Sequence, residues 1–119
     1  MKSVIHNLTF DCTNPTKQAE FWAAVLGYEL READEKEALI ADPKKERPHL
    51  LFLVVPESKT IKNRLHFDLR ADTSLDEEVA RLEKLGATIY HKFTDDKGAD
   101  TFTVMKDPEG NEFCVERGG

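Results

Sequence analysis

This 119-residue chain is short of the residues from which small cross-linked or metal-clipped domains are built. It has two cysteines, Cys12 and Cys114, far apart and outside any paired-ligand spacing, so no disulfide framework or zinc finger is encoded. It has one tryptophan, five prolines and six glycines, too few for a collagenous or low-complexity chain. No run of eighteen apolar residues occurs, so no helix of bilayer-crossing length is expected. Basic residues number 17 against 23 acidic ones, a formal charge of −6, which argues against a general attraction to nucleic acid or an anionic membrane; Lys44-Lys45 is only a local patch. Phosphate-loop and dinucleotide-binding patterns are absent. Residues 1–10 contain Lys2, His6 and Asn7 and read as a strand rather than a signal peptide, so the expectation is a reduced, cytoplasmic protein.

The remaining composition, 39% hydrophobic and 34% charged, suits one globular domain. A chain of this length buries roughly two-thirds of its extended surface and needs neither metal nor disulfide to fold. Residues 4–11 alternate, with Leu8 and Phe10 on one face and Asn7, Thr9 and Asp11 on the other. Asn14-Pro15 then starts a helix: Asn14 can accept from exposed amides, and Pro15 sits where its missing N–H costs nothing. Ala19, Trp22, Ala23 and Leu26 form its apolar stripe, and Gly27 stops it. Residues 27–34 and 37–41 are short strands, 42–48 a loop, and 49–55 a buried strand ended by Pro56.

Residues 57–63 read as a polar linker, after which the order repeats. Residues 64–71 alternate, with Leu65, Phe67 and Leu69 opposite His66, Asp68 and Arg70. Ser74 and Glu77 form a capping box for a helix carrying Leu75, Val79, Leu82 and Leu85, stopped by Gly86. Strands follow at 87–91, 101–105 and 112–116, separated by Asp95-Asp96-Lys97-Gly98 and Asp107-Pro108-Glu109-Gly110 turns. The segment 91–101 reads equally as a lid or a hairpin connection. Phe10 and Leu69 are 59 positions apart, as are Leu26-Gly27 and Leu85-Gly86. Two copies are no solenoid but a duplicated module.

The segments Leu8-Thr-Phe-Asp-Cys12, Phe21-Trp22 with Val25-Leu-Gly-Tyr28, Leu65-His-Phe-Asp-Leu-Arg70 and Asp107-Pro-Glu-Gly-Asn-Glu-Phe-Cys-Val115 resemble the vicinal oxygen chelate superfamily. That superfamily includes glyoxalase I, extradiol dioxygenases and the bleomycin and fosfomycin resistance proteins; the chain looks most like its small, uncharacterised glyoxalase-like members. The resemblance implies an α+β fold: two tandem βαβββ modules whose curved mixed sheets surround a cleft. It implies a single domain over residues 1–119, with module one over 3–56, the linker over 57–63 and module two over 64–117.

Enzymes of the superfamily hold one divalent metal on the first, fourth, fifth and eighth strands. His66 matches the fifth-strand histidine. Ungapped counting puts Asn7 at the first-strand position, and His6 takes it only with an insertion in the first loop, since one residue changes the strand face. The fourth-strand position falls near Leu53, which cannot ligate. The eighth-strand glutamate is replaced by Cys114, with Glu112 and Glu116 two residues away on the same face. The candidate metal ligands are therefore His66, Cys114, His6 and Glu116, for zinc, nickel, manganese or iron; thiolate and imidazole together suit zinc. His66, Glu116 and Asp68 are the candidate catalytic residues. Three polar rows, Asn7-Thr9-Asp11, His66-Asp68-Arg70 and Glu112-Cys114-Glu116, are the candidate ligand-binding face, with Arg70 offering a fixed cation. A solvated sheet face accounts for the same rows.

Three functions follow as expectations. The preferred one is a binder of a small organic molecule with a degenerate metal site. The second is a metal-dependent lyase, isomerase or dioxygenase-type enzyme, although classical glyoxalase I activity is disfavoured without its glutamate. The third is a dimeric accessory protein without a ligand. A homodimer is expected in each case, since proteins of this resemblance often pair to complete their sites.

Overall fold

The computed structural model describes residues 1–118, which form two compact units, one from Met1 to Ser58 and one from Lys59 onward. In the first, the strand β1 (Asn7–Cys12) leads to helix α1 (Pro15–Leu26) and the strands β2 (Glu29–Ala33), β3 (Glu37–Ala41) and β4 (His49–Val54). The second repeats the order as β5 (Asp68–Arg70), α2 (Leu75–Leu85), β6 (Thr88–Thr94), β7 (Asp100–Lys106) and β8 (Glu112–Glu116). The sheets run β1-β4-β3-β2 and β5-β8-β7-β6, with β1–β4 and β5–β8 parallel and the other pairs antiparallel. The tandem βαβββ modules and mixed sheets of the sequence reading are thus present. Their expected curvature is not: each is an open sheet of four strands with two edges, neither closed nor strongly curled around a cleft. Four strands paired in one row per unit are too few to coil back on themselves, since closure into a small barrel takes about eight. No helix among the described residues is long and apolar enough to cross a membrane.

Each helix starts and stops by the expected local chemistry. The Asn14 carboxamide oxygen accepts from the Lys17 amide at 3.1 Å, and Ser74 Oγ accepts from the Glu77 amide at 3.2 Å. Gly27 closes α1 at φ 71°, where a side chain would clash with its own backbone, and the Tyr28 amide then reaches the Ala23 carbonyl at 3.0 Å. The buried stripe of α1 is Pro15, Gln18, Ala19, Phe21 and Trp22, turned slightly from the predicted one so that Phe21 joins the core and Ala23 and Leu26 sit at its margin. Trp22 packs edge-on to Phe21 at 5.2 Å and 6.0 Å from Phe10, which in turn lies 5.2 Å from Phe52. In the second unit Leu75, Val79 and Leu82 of α2 are buried with Met105, Phe113 and Val115.

Several strands differ from the sequence reading in extent, β5, β6 and β7 most instructively. Residues 64–67 alternate like a strand but stay outside the sheet, because β8 supplies partners only for Asp68–Arg70. The segment 91–101 resolves as a hairpin: β6 and β7 run on to Thr94 and Asp100, and the Asp95 carboxylate accepts from the amides of Lys97 and Ala99.

Candidate functional site

The turn that aims β8 is built on Asp107. Its carboxylate, buried, accepts from the Glu109 and Asn111 amides, both at 2.9 Å, and from the Asn111 side-chain amide. Gly110 completes the turn at φ 89°. The Asp107-Pro-Glu-Gly-Asn motif is therefore a register device. It fixes Phe113 and Val115 on the buried face of the sheet and Glu112, Cys114 and Glu116 on the opposite one.

Parallel pairing then sets Asp68 beside Cys114 and Arg70 beside Glu116, while antiparallel β7 places Val104 and Phe102 on their other side. His66 stands two residues before β5, and its Nδ1 lies 3.4 Å from Asp68 Oδ1. One donor atom each from His66, Asp68 and Cys114 falls within 4.8 Å of the other two. A pocket of about 400 Å³ opens over them, lined by His66, Asp68, Leu69, Phe102, Cys114 and Glu116. Phe102 stacks on Phe93 at 4.5 Å and 13° between planes, and His91 meets Phe93 edge-on at 4.4 Å. An aromatic row thus continues from the polar donors across the open face. Sequence reading passed over that wall; the alternation Phe102, Val104, Lys106 facing Glu116, Cys114 and Glu112 was the signal for it.

Electrostatics separates the three residues of the β8 row. Burial pushes the Cys114 thiol up, and the neighbouring Asp68 carboxylate, which also accepts its hydrogen bond, adds to that. Cys114 is therefore protonated near neutrality until a cation or base displaces the proton. Glu116 Oε1 pairs with Arg70 Nε at 3.3 Å with both side chains largely in water, a weak link that leaves the carboxylate accessible. Glu112 is engaged elsewhere: it is 8% exposed, lies 3.0 Å from Lys59 Nζ, and accepts from the Asn63 amide at 3.0 Å. Residues 57–63, read from sequence as a linker, thus contribute two partners to a buried carboxylate of the second unit.

Burial alone would raise the Glu112 pKa, but the Asn63 amide and the Lys59 ammonium outweigh it and hold it at about 2. An unfolded glutamate titrates near 4.3, so this lowered value contributes stability that is full above that pH and lost as pH falls toward 2. Discounted for the water that reaches Lys59, the contribution is about 2 kcal/mol. Chemical unfolding at pH 7 and pH 3 should show the wild type losing more stability than Glu112→Gln. Equal losses would remove this carboxylate from the acid response.

The first-unit candidates lie apart in chain and role. Asn7, Thr9 and Asp11 are exposed on β1, opposite His49, Leu51 and Leu53 of β4. Leu53 brings no donor side chain; its carbonyl lies 3.6 Å from Cys12 Sγ. His6 precedes β1, its carbonyl accepts from the His49 amide at 3.2 Å, and the two imidazoles lie 5.4 Å apart.

Two βαβββ units with polar rows on open sheet faces define a glyoxalase-type small-molecule fold. The glyoxalase-like domain profile matches residues 7–116, and the chain belongs to that family, within the vicinal oxygen chelate superfamily. Similar solved structures include a glyoxalase/bleomycin resistance protein/dioxygenase family enzyme from Burkholderia phytofirmans, with TM-score 0.73 and 16% identity over 97% of this chain and 98% of that one. The fosfomycin resistance protein FosX of Listeria monocytogenes, solved with Mn(II) and a dihydroxypropylphosphonic acid, gives 0.72 and 16% over 100% and 92%. Lactoylglutathione lyase from Agrobacterium tumefaciens gives 0.63 and 20% over 99% and 96%. No curated protein matches the chain.

Proposed function

We propose that the protein binds a small organic molecule over the open face of its second sheet, beside a three-donor site able to hold one divalent cation. The observation that carries this reading is the convergence of His66, Asp68 and Cys114 within 4.8 Å at a pocket walled by Phe102. A flat apolar wall beside a few fixed polar groups is what a small-molecule site requires. The donor set fits a metal: imidazole, carboxylate and thiolate on one centre suit zinc and its neighbours better than manganese or magnesium. Three protein ligands leave a coordination place open, and a cation there would polarise an oxygen of the bound molecule. Cys114 stands where a glyoxalase-type glutamate would, so lactoylglutathione chemistry is not the reading supported.

A metal-dependent enzyme is the second reading, favoured by the accessible Glu116 carboxylate at the rim of the same pocket. In it Glu116 would move a proton of the bound molecule and Arg70 would hold the carboxylate in place. The first test is metal binding. Protein stripped with chelator should take up one equivalent of zinc at micromolar affinity or tighter, and manganese far more weakly. Absence of any stoichiometric uptake would retire the cation and leave a purely organic site. Thermal-shift screening of the loaded and stripped forms against small organic acids and phenols follows, with hits expected to be lost in Phe102→Ala.

A further inference from the structure

A second pocket, of about 600 Å³, lies in the first unit and gathers positive charge in a protein of net charge −6. Its lining includes His6 and His49, whose rings lie 5.4 Å apart, together with Arg31, Lys45 and Arg47. Its two acids are Asp42 and Glu46. The Asp42 carboxylate is spent on the backbone, accepting from the amides of Lys44 at 2.9 Å and of Glu46 and Arg47 at 3.2 Å. Arg31 keeps a loose pair with Glu29 at 3.3 Å, whereas Lys45 and Arg47 carry no salt bridge among the described residues.

The backbone here departs from regularity at two of the cations, Arg31 and Lys45. The β2–β3 register slips between Leu30 and Glu32, leaving Arg31 without a strand partner and free to aim differently from its neighbours. The loop after β3 uses the same device as the loop after β7: an aspartate accepts from the amides two and four residues on, Lys44 and Glu46 for Asp42, Glu109 and Asn111 for Asp107. In the second unit the third residue of that turn is Gly110, at φ 89°. In the first it is Lys45, at φ 58°, the one non-glycine residue at positive φ among those described. A lysine in that conformation is disfavoured by its Cβ, and glycine would relieve it. The loop then runs two residues longer than its counterpart before its strand begins, which brings in Arg47.

We propose that the first unit binds the phosphoryl group of a small phosphomonoester between the His6–His49 pair and the Lys45–Arg47 loop. Three terminal oxygens can use more donors than a carboxylate's two, and the guanidinium fork of Arg47 matches two of them. Two imidazoles at this spacing would also suit a metal, but three cationic side chains around them and an Asp42 engaged with amides oppose one. The pocket exceeds a bare phosphate, and Ile5 and Leu39 offer apolar wall for the organic remainder.

The test is calorimetric titration of the full chain with phenyl phosphate, with the imidazole signals of His6 and His49 followed by NMR. Saturable one-to-one binding is expected, about tenfold weaker for phenylacetate and for inorganic phosphate. Arg47→Gln, in an exposed loop, should weaken it by about tenfold. Lys45→Gly should raise the unfolding temperature and weaken phenyl phosphate binding together, which a merely structural lysine would not do. Chelator-stripped and zinc-loaded protein should bind phenyl phosphate equally, so the result does not depend on the second-unit cation. No saturation by about 10 mM phenyl phosphate, full affinity in Arg47→Gln, or imidazole signals moved by zinc and not by phenyl phosphate would each overturn the proposal.

Discussion

Replacing Cys114 with serine lowers zinc affinity by about 100-fold or more while leaving thermal unfolding within a few degrees of wild type. The reason is chemical and local. The hydroxyl of serine does not ionise at neutral pH, so the softest of the three donors is lost. The side chain is half-buried on the open face, where the change leaves no core cavity. His66→Ala should behave alike, because its ring is exposed and its one ion-pairing contact, Asp68, is itself in water. Asp68→Asn separates donor loss from electrostatics. Zinc weakens, but the Cys114 thiol loses the second of the two influences that push it up, burial being the first. Its pKa should fall, and alkylation by iodoacetamide at pH 8 should quicken in the metal-free protein. Slower or unchanged alkylation would mean that Asp68 does not govern the thiol. A Cys114→Ser protein that still binds zinc with wild-type affinity would dissolve the three-donor site altogether.

The elements that sequence reading placed best are those written in neighbouring residues. Asn14-Pro15 and Gly27, or Ser74 with Glu77, act over one helical turn, so their spacing alone specifies the start or stop. The polar rows of β8 were equally legible, because alternation is local. What sat beyond reach was pairing over distance. The alternation of residues 64–70 promises a longer strand than forms, since strand length is set by what β8 offers as a partner, 46 positions away. Glu112 looked like a ligand-binding carboxylate because nothing local shows that Lys59, 53 positions earlier, comes to meet it. The same distance hid the metal geometry. Asp68 and Cys114 were each visible as candidates, but only the parallel register makes them neighbours.

The curved sheets expected from the resemblance illustrate a different gap. A family likeness carries element order well, because order follows from capping, turn and alternation signals that the sequence contains. Sheet curvature follows from accumulated twist, bulges and what covers each face. The bulges found here, between Leu30 and Glu32 and along β6, were not announced by glycine or proline. Lys45 is the sharpest case. A lysine after Asp42-Pro43-Lys44 gives no hint of a left-handed residue until the turn is set beside its glycine-bearing repeat.

Trp22→Ala should cost about 4 kcal/mol of stability, the largest effect expected of any single core truncation in the chain. Trp22 is 1% exposed and touches aromatic neighbours on two sides, Phe21 at right angles and Phe10 across the helix–sheet interface. Removing the indole strips the transfer energy of the whole ring system and leaves a hole that Phe21, Phe10 and Phe52 cannot close without leaving their rotamers. Trp22→Phe keeps the edge-on contact and fills most of the volume, so its cost should be about half as large. Urea unfolding followed by circular dichroism decides it, since the variants lack the only tryptophan and its fluorescence with it. The midpoint should drop steeply for the alanine variant with little change in slope. A loss near 1 kcal/mol, the level of an exposed substitution, would mean that α1 is not anchored to its sheet by this residue. The pocket of the first unit adds a corollary. Arg31, Lys45 and Arg47 project from β2 and from the loop between β3 and β4, all in the sheet that Trp22 and its helix cover. The alanine variant should therefore lose phenyl phosphate affinity as it loses fold, whereas Lys45→Gly should gain fold as it loses affinity. Opposite correlations from two substitutions in one unit would separate a site that depends on the scaffold from a residue that strains it.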